Sequence, residues 1–218
     1  MNMQKIWFTS DTHFGHKNVL KHCPERLKAF GIPEDNTDEE KVRLHDEYLI
    51  QLWNGTIGRK DIVYIIGDFS FYNVEKTRKI LSRLNGSKFL IIGNHDNSSV
   101  KLGNYFQQIT HIKEINFKKK NFDFLEEDFG VVCCHYPMIT WNRKHYGTAN
   151  VHGHCHGRLD CFNNDNSDLR VDVGIDGCLS NFGIVSLESL YYFFKSKTDG
   201  KPFSEYASEL KQKNTMII

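Results

Sequence analysis

A chain of 218 residues, 39% hydrophobic and 25% charged, is long enough to bury a substantial core and has a globular composition. Its formal net charge of +1 gives no support to a long nucleic acid or an anionic membrane as partner, although a local basic patch would not show in that sum. No apolar run approaches the roughly 18 residues of a membrane span.

The amino-terminal stretch "MNMQKIWFTSDTHFGH" lacks the apolar core of a secretory signal. The six cysteines (Cys23, Cys133, Cys134, Cys155, Cys161 and Cys178) show no small-scaffold spacing, so reduced thiols and a cytoplasmic location are expected. In chain order, "KIWFTSD" (5–11) reads as a buried strand running into a loop. Residues 22–37 read as an excursion. Thr37 and Glu40 form a capping-box pattern, and Val42, His45, Leu49 and Leu52 recur at helical spacing, which predicts an amphipathic helix over 38–54. "DIVYIIGD" (61–68) is a near-continuous apolar run, as expected of a strand covered on both faces. A second helix is predicted over 74–84, capped by Asn73, with Val74, Thr77, Leu81 and Leu84 inward and Gly86 as its stop. "KFLIIGNHD" (88–96) repeats the strand-then-polar form.

Residues 97–130 read as a second excursion, with a hairpin over 115–124 turning at "KKKN". "VVCCHYP" (131–137), "NVHGH" (150–154) and "LRVDVGID" (169–176) are further strands, and 187–197 a late helix. Alternating strands and helices predict an α/β layered fold, with residues 1–218 forming one domain. The apolar end of the tail, "KNTMII", would pack on the domain or on a neighbour.

Each apolar strand delivers metal-type donors: Asp11 and His13, then Asp68, then Asn94 and His95, then His135, then His154 and His156. In α/β sheets functional groups gather beyond the carboxyl ends of the strands. In extended backbone, residues two apart project to one side, so Asp11 with His13 and His154 with His156 are each expected to face one cavity, with Cys155 turned away. Imidazole, carboxylate and amide donors suit Mn²⁺, Fe, Zn²⁺, Co²⁺ or Ni²⁺. Seven donors exceed one tetrahedral ion and match two ions sharing a carboxylate, an arrangement that favours in-line attack at phosphorus. A Cys/His zinc site around Cys155 and Cys161 fails on spacing, because no CxxC pair is present.

Asp11-x-His13, "GD" at 67–68, "GNHD" at 93–96, His135 and "GHCH" at 153–156 stand in the order in which the calcineurin-like metallophosphoesterase family carries them, and the chain resembles that family across residues 11–156. The resemblance implies a two-sheet β-sandwich flanked by helices, an αββα arrangement. It implies that Asp11, His13 and His156 bind one divalent ion, that Asn94, His135 and His154 bind a second, and that Asp68 bridges them, with Mn²⁺ favoured. It also implies that His95 hydrogen-bonds the phosphate or protonates the leaving oxygen, a role suited to imidazole near neutral pH.

The protein phosphatases of this superfamily read GDxxDRG where this chain reads "GDFSFYN", with Phe71 at the place of the second Asp. That departure counts against a phosphoprotein phosphatase and leaves open what orients His95. A small bacterial or phage-type phosphoesterase is closer. The expected activity is hydrolysis of a phosphate ester, a phosphodiester of nucleotide type ahead of a monoester. The alternatives are an inactive binding protein of the same fold and a nuclease. His16, Trp141 and Arg143 are candidate substrate contacts, Trp141 and Tyr146 by stacking on a base. His152 supports a ligand or simply packs. The expected partner is a small phosphorylated or nucleotide substrate. No membrane and no obligatory protein partner is evident, and the sequence does not set the oligomeric state.

Overall fold

The computed structural model describes residues 4–160, 168–200 and 202–206. Two sheets organise it. The first has the order β4-β3-β2-β1-β9, built from β1 (Ile6–Thr9), β2 (Ile62–Ile65), β3 (Ser87–Ile91), β4 (Phe106–Thr110) and β9 (Val185–Ser186). The second has the order β5-β6-β7-β8, from β5 (Ile112–Phe117), β6 (Phe129–Cys134), β7 (Ala149–His152) and β8 (Arg170–Asp172). Strands β1 to β4 run parallel, with Phe8 opposite Tyr64 and Tyr64 opposite Phe89, and β9 is antiparallel to β1. In the second sheet β6, β7 and β8 are parallel and β5 is antiparallel to β6.

The apolar run of β2 explains the layering. Tyr64 and Ile66 face the core between the sheets, with Phe8, Val131, Cys133, Val151 and Val171. Val63 and Ile65 face a second core on the other side, with Leu90, Leu49, Trp53 and Leu81. A strand buried on both faces has no polar side to alternate with. The helices of that second core are α1 (Val19–His22), α2 (Glu25–Ala29), α3 (Asp38–Thr56) and α4 (Val74–Leu81), with the short α5 (Asn97–Val100) beside α4. At the other end of the chain α6 (Leu187–Asp199) adds Leu190, Tyr191, Phe193 and Phe194 to the core between the sheets. The result is an α/β fold of two sheets flanked by helices. Among the described residues, no helix is long and apolar enough to cross a membrane.

The expected helices form, with differences in their faces and ends. The Thr37–Glu40 capping box is present at the start of α3. The buried face of α3 is His45, Asp46, Leu49, Ile50 and Trp53, whereas Val42 and Leu52 are only partly covered. Asn73 caps α4 by accepting from the Lys76 N–H, but the helix ends at Leu81 and a turn carries Leu84 into the core.

Two sequence expectations are corrected. The hairpin is not closed over 115–124: β5 pairs with β6 starting at Phe117 opposite Phe129. Asp128 holds the connection by accepting from the Lys119 N–H and from Lys118 Nζ, while Leu125 fills the core instead of continuing a ladder. Residues 97–130 are therefore not an excursion, because β4, β5 and the start of β6 lie within them. Cys161 and the "KNTMII" tail lie outside the described residues.

Candidate metal centre

The loops after β1 and β2 are zipped together. The N–H groups of Asp11, His13 and Phe14 donate to the carbonyls of Gly67, Asp68 and Phe69. The Ser10 hydroxyl donates to the Ile66 carbonyl at 2.6 Å. Asp96 ties in the loop after β3, accepting the N–H groups of Asp68, Phe69 and Gly93 at 2.8–3.0 Å. A bridge from Ser10 to Gly174 joins this group to the second sheet.

The backbone there is not extended, so the paired donors do not share a side by strand geometry as expected. Asp11, His13, Asp68, His154 and His156 all have φ between 50° and 70°. Five of the seven candidate ligands thus sit in the left-handed region, a conformation that costs roughly 1–3 kcal/mol per residue and gathers at functional sites. Asp and His tolerate it better than branched residues. Gly153 follows from the same crowding, since a Cβ there would collide with the Ser10 hydroxyl and the Asp11 carboxylate.

These turns bring the seven residues together. Asp11 Oδ1 lies 3.6 Å from His13 Nε2 and 3.8 Å from His156 Nε2, and the two imidazole nitrogens are 3.2 Å apart. Asp11 Oδ1 is buried and has no hydrogen-bond partner among the described residues, while Oδ2 accepts from the His154 N–H. A carboxylate oxygen left bare between two imidazole nitrogens fits a cation. Asp68, His135 and His154 form a second such group, each triad having its donor atoms within 4.8 Å of one another. Asn94 Oδ1 is 3.2 Å from His135 Nε2. Asp68 spans both groups, with Oδ2 3.8 Å from His13 Nε2 and Oδ1 3.5 Å from His135 Nε2.

The far nitrogens are anchored in the manner of metal-binding histidines. His135 Nδ1 is 2.7 Å from the Ile66 carbonyl and donates to it, which turns the lone pair of Nε2 toward Asn94 and Asp68. His156 Nδ1 is 2.6 Å from Asp176 Oδ2 and 3.6 Å from Cys23 Sγ. Arg26, fully buried on α2, forks onto Asp176 at 2.6 and 2.7 Å and donates to the Asp11 carbonyl at 2.7 Å.

Burial lowers the pKa of His13 and His154, which favours the neutral ring a cation requires. Burial works against the Asp11 carboxylate too, but the imidazoles of His13, His156 and His135 outweigh it and hold its pKa below the usual range. Burial likewise opposes a charged His156, yet the bond to Asp176, the Cys23 contact and the Asp11 charge raise its pKa to about 10.

His95 stands at the mouth, its side chain 44% exposed, with Nε2 4.0 Å from Asp68 Oδ2. His16 lies beside it, stacked on Phe71 with ring centroids 3.6 Å apart. His152 is fully buried, with Nδ1 2.8 Å from the Gly153 carbonyl.

Trp141 and Arg143 are not brought to the cluster. The Trp141 indole is buried and donates to the Thr148 carbonyl, so it anchors its own loop. Arg143 lies over Tyr146 and lines a depression with Glu114, Asn116 and Lys118 on the second sheet. Cys155 joins none of the candidate metal groups among the described residues. Sequence reasoning missed Asp176, Arg26 and Tyr136. Asp176 could have been found as another acid just beyond a strand, in "RVDVGID"; nothing in "PERLKAF" marks Arg26.

Fold and donor set together define an α/β protein with a candidate metal site. Residues 4–180 match the profile of the calcineurin-like phosphoesterases, and the chain belongs to that family. An uncharacterized protein of Methanocaldococcus jannaschii is 38% identical over 113 residues, which is 51% of this chain and 55%, about half, of that protein. The gene 66 protein of Mycobacterium phage L5 is 25% identical over 195 residues, covering 80% of this chain and 87% of its own. A crystal structure of a protein of unknown function from Aquifex aeolicus shares the fold, with a TM-score of 0.63, 23% identity, and coverage of 88% of this chain and 100% of that one.

Proposed function

We propose that the chain hydrolyses phosphodiesters of nucleotide type at a centre of two divalent cations, with Mn²⁺ favoured among the ions its donors suit. The observation that carries this reading is Asp68, whose two carboxylate oxygens reach toward His13 and His135 in two separate triads. Bound there, the cations would neutralise charge on the phosphoryl oxygens and acidify a water for attack on phosphorus.

The protein's part is positioning. Asp11, His13 and His156 would hold one cation and Asn94, His135 and His154 the other, with Asp68 placed to serve both. Asp96 fixes the Asp68 and Gly93 turns against each other, which sets the distance between the two halves. His95, on the exposed side of Asp68, hydrogen-bonds the phosphate or donates a proton to the leaving oxygen. Phe71 and Tyr72 stand where phosphoprotein phosphatases carry Asp and Arg, which supports a diester monoanion over a protein-borne monoester.

The test is hydrolysis of bis(p-nitrophenyl) phosphate and p-nitrophenyl phosphate by metal-stripped protein refilled with Mn²⁺. Metal-dependent turnover that prefers the diester and falls roughly 100-fold or more in His95→Ala is expected. Turnover unaffected by a chelator, or preference for the monoester, would overturn the reading.

A further inference from the structure

The groups that reach solvent around the open side of the cluster include His16, Phe71, Asn94, His95, Tyr136 and His154. Arg26, the guanidinium that bonds the ligand loops, is fully buried beneath them. Two of them, Phe71 and Tyr136, carry benzene rings. Phe71, 36% exposed, has its ring centroid 3.6 Å from His16, 4.3 Å from His95 and 5.2 Å from His13. Tyr136, 47% exposed, has its ring 4.7 Å from His154 and 5.1 Å from His135, with its hydroxyl 3.4 Å from Asn94 Oδ1. One exposed ring thus adjoins each triad.

An exposed aromatic face held by histidine packing is a stacking platform, since every planar base or aryl group presents a π-face to it. A phosphodiester carries two ester arms, and one ring stands beside each triad to receive a planar group. We infer that Phe71 and Tyr136 are specificity-determining residues that select phosphodiesters carrying a nucleobase or aryl group. This inference rests on the phosphodiesterase reading above. It also relocates the base-stacking role from Trp141 and Tyr146, which the structure holds elsewhere.

The test compares two substrates with the same leaving group, thymidine 5′-(p-nitrophenyl phosphate) and methyl p-nitrophenyl phosphate, on Mn²⁺-loaded protein. Any general loss of activity cancels in the ratio of their kcat/KM values. The wild-type ratio is expected to favour the thymidine ester about tenfold or more, the scale of one base stacked on an aromatic ring. It should fall toward one in the Phe71→Leu/Tyr136→Leu double variant, and Tyr136→Phe should keep what Tyr136→Leu loses. A wild-type ratio near one, or a ratio that survives the double variant, would overturn the inference.

If the wild type hydrolyses neither ester, the phosphodiesterase reading fails. The inference is then decided by calorimetric binding of a phosphorothioate-linked thymidine dinucleotide. Weakening of about tenfold in the double variant supports it. Unchanged or undetectable binding in the wild type overturns it.

Discussion

Arg26 and Asp176 show how much of the site lies behind the residues that would touch a cation. Asp176 fixes the His156 ring through Nδ1, and Arg26 fixes Asp176 and the Asp11 carbonyl together. Asp176→Asn is expected to weaken cation binding by about 10–100-fold, the usual effect of losing the partner behind a ligating histidine, as read by calorimetry with Mn²⁺. Arg26→Met, which leaves the buried Asp176 carboxylate with His156 as its one remaining charged partner, is expected to cost about 3 kcal/mol of stability in urea unfolding. In the cation-free protein the His156 pKa is raised from 6.5 to about 10, so the stability it contributes is fully present below about pH 6.5 and lost as pH rises through 10. Asp176 has the opposite sign: its pKa is depressed by Arg26 and His156 against the opposing effect of burial, so its contribution is lost on acidification. Cation binding near pH 8 should therefore release about one proton from His156, seen as a buffer-dependent heat, and His156→Gln should lower the total proton release by about one.

At the level of elements, strand ends supply the donors and left-handed turns aim them. The strands were legible because β1, β2 and β3 are short apolar runs cut off by Asp11, Asp68 and Asn94, and α3 because its capping box and apolar spacing agree. The turns were not, since periodicity describes regular backbone and carries no signal for φ near +50° at Asp11 or His156. The return strand of the β5 hairpin was misplaced for a related reason: Phe122 and Phe124 look like strand residues but pack on the core from a loop. The base-stacking loop failed because a Trp beside an Arg reads alike whether the indole meets a ligand or, as here, its own loop carbonyl. Gly153→Ala tests the turn after β7 directly. Its Cβ meets Ser10 and Asp11, so a loss of about 1–3 kcal/mol is expected in thermal unfolding, with weakened cation binding.

Across the whole molecule, the first sheet contributes Asp11, His13, Asp68 and Asn94, and the second contributes His135, His154 and His156. The core between the sheets holds those strand ends in register, so cations at the cluster would tie the two sheets together. A hundredfold excess of Mn²⁺ over its Kd should then add about 2.7 kcal/mol to the stability of the metal-free protein for each of the two sites filled. For a chain of this size that is a rise in Tm of roughly 5–11 °C per site. Whether two cations share Asp68 is decided by counting Mn²⁺ bound per chain while following turnover of bis(p-nitrophenyl) phosphate. Two ions are expected in the wild type and one in His135→Ala, with turnover appearing only as the second ion binds. A single ion at saturation, or full turnover with one ion bound, would contradict the two-cation centre.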